Sequence, residues 1–135
     1  MTALTAPRDT IERNGDDFVF PVAAGKKIHA GSLVALDAAG NLTPGAEAAT
    51  LHGAAVARKS VDNGAGAAGA EAAPVKRGCF RFANSTGADE ITRADVGKDC
   101  FIVDDQTVAK TSNTNARSKA GIVRDVDAHG VWVDF

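Results

Sequence analysis

The stretch Ile122-Val123-Arg124-Asp125-Val126-Asp127-Ala128-His129-Gly130-Val131-Trp132-Val133-Asp134-Phe135 decides the fold class. Two valine-rich runs flank a set of turn residues, Asp127 to Gly130, and this pattern predicts a β-hairpin. A two-residue loop there pairs even-numbered positions before the turn with odd-numbered positions after it. Ile122, Arg124 and Val126 then share a face with Val131, Val133 and Phe135, which reads as the core side. Val123, Asp125 and Asp127 share the opposite, mostly acidic face with Trp132 and Asp134. A large aromatic on such a face either meets another protein surface as an anchor or is covered by a loop or arm of its own chain. Val123 and Trp132 are therefore candidate partner-binding residues.

Similar signals recur upstream. Phe18, Phe20 and Val22 alternate with Val19, Pro21 and Ala23, and Pro21 marks an edge strand. Leu33 to Leu36 runs into the turn Asp37-Ala38-Ala39-Gly40-Asn41. Leu42 and Thr43 begin a return that Pro44-Gly45 interrupts and Leu51 to Ala57 resumes. Val75, Arg77, Cys79, Arg81 and Ala83 alternate with Lys76, Gly78, Phe80 and Phe82 as one further strand. Thr92 to Asp95 suits a single helical turn ended by Gly97. Cys100 to Val103 reads as a buried strand that turns at Asp104-Asp105-Gln106 into Thr107-Val108-Ala109, and 111–118 is a polar loop. Short strands with a turn signal roughly every ten residues predict an all-β domain. A jelly-roll-like β-sandwich is the first architecture and a small β-barrel the second, with strand order left open.

Residues 1–16 are polar, and Leu4 and Ile11 are their main apolar points. Such a segment cannot bury enough to fold alone, so it is either an extended N-terminal arm that orders on another surface or simple disorder. In the first case Leu4 and Ile11 are its anchors. Residues 17–135 fit a single β domain. Within it, 62–74 is a Gly/Ala-rich stretch with few side chains to pack, which reads as a flexible surface loop.

Composition narrows the function. Hydrophobic residues make up 44% of the chain but aromatics only 5%, with no Tyr, so small aliphatic side chains must fill the core. The net charge of −2 comes from interspersed signs, and the basic pairs Lys26-Lys27 and Lys76-Arg77 are isolated, which argues against nucleic acid. No run approaches the ~18 apolar residues of a membrane span, and the first residues lack a secretory signal pattern. The expectation is a protein made and kept soluble in a cytoplasm, with Cys79 and Cys100 reduced and buried. His29, His52 and His129 stand singly, without metal-ligand spacing. Asp16-Asp17 and Asp104-Asp105 are neighbours that point to opposite faces of a strand. The glycine-rich stretch lacks the Lys-Ser/Thr of a phosphate loop. No catalytic residue, metal site or cofactor is expected.

Two segments resemble small head-decoration, or cement, proteins of tailed bacteriophages and prophages. The first is Ala24-Gly25-Lys26-Lys27-Ile28-His29-Ala30-Gly31-Ser32-Leu33-Val34-Ala35-Leu36-Asp37 followed by Gly40-Asn41. The second runs from Ile91-Thr92-Arg93-Ala94-Asp95-Val96-Gly97-Lys98 through Val103 to Val108, then from Gly121 to Asp127 and Gly130 to Val133. The resemblance implies a β-sandwich structural protein on the virion exterior, assembled in the bacterial host cytoplasm, that bridges neighbouring major capsid protein subunits. Self-association as a dimer or trimer on the capsid goes with that role. The alternative function is a virion- or surface-associated binding module for a receptor or carbohydrate, although a chain with one Trp and no Tyr has few aromatics for a sugar platform.

Overall fold

The computed structural model describes residues 2–135, and they form an all-β protein. The first seven strands are β1 (Asp17–Pro21), β2 (Lys27–Ile28), β3 (Leu33–Leu36), β4 (Leu42–Pro44), β5 (His52–Ala57), β6 (Val61–Asp62) and β7 (Ala72–Lys76). Five more follow: β8 (Cys79–Asn84), β9 (Asp99–Ile102), β10 (Thr107–Ala109), β11 (Lys119–Asp127) and β12 (Gly130–Asp134).

The strands divide into two halves. In the first, five strands lie in the order β1-β7-β5-β3-β4, with β2 and β6 forming a separate pair. This sheet curls until its ends meet: Val22, just after β1, bridges Leu42 in parallel, and the Ala23 N–H donates to the Leu42 carbonyl at 2.8 Å. In the second half the order β10-β8-β12-β11-β9 closes into a barrel through the antiparallel β9–β10 pair and the parallel β8–β10 pair. The small barrel, the second of the two architectures read from sequence after the jelly-roll-like sandwich, is thus present, and a curled sheet packs against it.

Two apolar cores follow from the period-two alternation of β3 and β5. Leu33, Ala35, Ala54 and Val56 join the barrel residues Phe82, Cys100, Ile102, Val108, Val123, Val131 and Val133. Val34, Ala55 and Ala57, on the alternate positions, join Val22, Ile28, Leu42, Ala73 and Val75. The two strands are therefore buried on both faces, which explains their continuous apolar character. Alanine suits such a wall, because a larger side chain would hold the layers apart and overpack the core.

Several details differ from the sequence reading. The single strand expected over 75–83 is two strands in different halves, and the chain crosses between them at Arg77-Gly78, where Gly78 has φ +155°. Cys79, at the start of β8, is exposed; only Cys100 is buried. There is a second 3-10 turn at Gly87–Asp89, besides the expected one at Arg93–Asp95. In the latter, the Asp95 carboxylate accepts the Thr92 N–H at 2.8 Å, and this hydrogen bond holds the Asp95 pKa below the usual carboxylate range.

The Gly/Ala stretch is also corrected. Its last residues form β7, and the rest is fastened by Asn63, which is only 2% exposed. The Asn63 amide donates to the carbonyls of Val22 at 3.3 Å, Ala23 at 3.1 Å and Ala67 at 3.0 Å. Gly69 N–H also donates to Val22 O at 3.0 Å. A side chain at Gly66 would put a Cβ 2.0 Å from Asn63 Oδ1, so the glycine there makes room for the staple. Low-complexity composition concealed a loop whose backbone polar groups find specific partners.

Candidate partner-binding surface

Residues 2–16, before β1, lie in no strand or helix and are exposed. Leu4 is 72% and Ile11 92% exposed, so neither candidate anchor is covered by its own domain. Two local contacts shape the base of the arm. The Asp16 N–H donates to Asn14 Oδ1 at 2.7 Å, and the Arg13 guanidinium sits 5.0 Å from the centroid of the Phe18 ring.

Arg13 also lines a 520 Å³ groove with Asp17, Phe18, Val19, Arg58, Pro74 and Val75. β1 contributes two faces to this region. Phe18 and Phe20 stack at 5.7 Å and pack on the core of the curled sheet. Val19, between them, points outward and is 67% exposed. Val19 was not among the residues singled out from sequence, although its place in the alternation with Phe18 and Phe20 carried the signal.

The structure separates Val123 from Trp132. Val123 is fully buried in the barrel core, so it is not a partner-binding residue. The cause is a β-bulge: Val123 pairs with Val133 and Asp125 with Trp132, leaving Arg124 as the extra residue. One extra residue inverts the parity of everything upstream. Below the bulge the expected faces hold, with Val126 opposite Val131. Above it Val123 turns inward, while Ile122 is half-buried and Arg124 exposed. The expectation that Ile122 and Arg124 share the core face with Val131 fails for this reason.

Trp132 lies half-buried on the outside of the barrel. Its indole N–H donates to Asp127 Oδ2 at 3.0 Å, and the Arg81 guanidinium lies 5.8 Å from its ring centroid. Its neighbours are thus residues of its own chain. Asp125, opposite Trp132, pairs in turn with Arg93. Across the turn, Asp127 Oδ1 accepts the N–H groups of His129 at 2.7 Å and Gly130 at 3.1 Å. Together these bonds hold the Asp127 pKa below the usual carboxylate range, with the Trp132 bond the largest contribution.

His29, His52 and His129 are all exposed. Among the described residues no three His, Cys, Asp or Glu side chains come together as a metal site. Cys100 donates its thiol to the Gly121 carbonyl, and burial pushes its pKa up to about 12. A thiol so placed is a packing group rather than a nucleophile. The large apolar side chains left exposed are Leu4 and Ile11 before β1, Val19 on β1, and Val96. No protein-family model matches the chain, and no curated protein and no solved structure match it either.

Proposed function

We propose that this protein is a structural cement protein, which adds to the outside of a phage head and bridges neighbouring major capsid subunits. The observation that carries this reading is the arm, which leaves a well-packed β body fully exposed and presents Leu4 and Ile11 to no partner within the chain. Ordering such a segment costs about 1 to 2 kcal/mol per residue, so it needs an extended protein surface to lie on. Many copies bound to one repetitive shell add avidity to contacts that are weak singly. The resemblance of residues 24–37, 40–41, 91–98, 103–108, 121–127 and 130–133 to head-decoration proteins supports the same assignment.

The test is co-sedimentation of the purified chain with heads that lack it. The full chain binds at a stoichiometry comparable with the major capsid protein. Deleting residues 2–10 or replacing Leu4→Asp weakens binding and leaves the thermal midpoint of the free protein unchanged. Failure of the full chain to bind, or binding indifferent to both changes, refutes the reading.

A further inference from the structure

The hydrogen-bonding direction of β1 shows which of its backbone groups are free. The Arg77 N–H donates to the Asp16 carbonyl and the Val22 N–H to the Glu71 carbonyl, and Phe18 and Phe20 lie opposite Val75 and Ala73. Even-numbered residues thus turn their N–H and C=O groups toward β7. Asp17, Val19 and Pro21 turn theirs the other way, to an open edge. That edge is short, because the Ala23 N–H is already taken by Leu42. An unpaired edge with an exposed valine is a template for another strand.

We propose that the edge is completed by the arm of a second copy, with residues 9–13 running antiparallel to β1 in an isologous dimer whose two-fold axis passes at Gly15. In this register Val19 faces the partner copy's Ile11, and Asp17 faces its Arg13. Two of the large exposed apolar side chains cover each other, and two opposite charges meet beside them. Each pair occurs twice by symmetry. All of these positions are odd-numbered, so the backbone groups that face each other are those β7 leaves free. Gly15 meets its own copy at the axis, where neither chain has a side chain to place.

The same register explains where the added strand stops. Pro21 has no N–H to give, and Pro7 would fall opposite Ala23, whose edge is occupied. Forming the strand releases Arg13 from Phe18 and Asp16 N–H from Asn14, both exposed contacts of the arm base. An exchange of about five residues a side gives a small interface and hence a weak dimer.

The experiment uses the full chain without heads, so it succeeds or fails independently of the cement reading. Sedimentation equilibrium from about 1 to 500 μM spans the concentrations at which a weak dimer forms. The wild type associates to a dimer. Ile11→Asp and Val19→Asp each weaken the dimer at least tenfold. Arg13→Asp and Asp17→Arg each weaken it about tenfold, and the double variant Arg13→Asp/Asp17→Arg recovers most of the loss. Ile11 lies outside the folded body, so Ile11→Asp gives a valid answer even if Val19→Asp impairs folding. A wild type that stays monomeric throughout overturns the proposal, including one whose arm orders on its own body. So does a dimer indifferent to Ile11→Asp, or a double variant that stays as weak as its parents.

Discussion

The indole N–H of Trp132 donates to the Asp127 carboxylate across the last β-turn, at 3.0 Å, and ties the only tryptophan of the chain to a titratable group. The folded-state pKa of Asp127 is lowered, so what the contact adds to stability is present above the unfolded value and lost as pH falls through the folded one. Trp132 emission should stay flat from neutral pH down to the ordinary aspartate value of about 3.9 and change only below it. In Asp127→Asn that acid-range step should disappear. A titration of the wild-type emission centred above that value contradicts the assignment.

Val123 and Trp132, one strand apart, should respond differently to truncation. Val123→Ala removes two methyl groups from a fully buried site and should destabilise the protein by about 2 kcal/mol. Trp132→Ala strips a half-buried ring from the outer face and should cost less, about 1 kcal/mol. Urea denaturation of both variants settles the order, and a larger loss for Trp132→Ala would place the indole in the core.

Asn63→Ala leaves the carbonyls of Val22, Ala23 and Ala67 without their amide donor. A destabilisation of about 2 to 3 kcal/mol is expected, with new protease cleavage between residues 64 and 70. An unaltered digestion pattern would show that the stretch keeps its shape without the staple.

The two thiols should separate cleanly in alkylation. Cys79 is exposed and labels in the native protein, slowed because partial desolvation and the nearby Asp134 carboxylate raise its pKa. Cys100, pushed up to about 12 by burial, labels only on unfolding. Mass analysis showing two rapid native additions would contradict the buried placement.

The legible parts of this chain are those set by neighbours in sequence. The Asp37 turn is one case, with Asp37 Oδ1 accepting the N–H groups of Ala39 and Asn41. The Asp127 turn and the Thr92–Asp95 pair are others. The exposure of Leu4 and Ile11 belongs here too, since nothing near them in sequence could cover them. What sequence periodicity did not carry depends on distant partners. A bulge at Arg124 is set by how β11 fits β12, and it moved Val123 from the surface to the core. Gly78 looked like one more position in an alternating strand, yet the chain changes halves there. Asn63 resembled loop polarity because its carbonyl partners lie at Val22 and Ala23, about forty residues earlier in the chain.

The wall formed by β3 and β5 gives its two faces to two different cores. Melting either half would expose the apolar back of the other, so neither can open while its neighbour stays intact. Unfolding should therefore be a single cooperative transition, and a protease cut at Arg77-Gly78 should leave two fragments that remain associated rather than two autonomous domains. Such a body fails all at once or not at all, because its two cores share one wall.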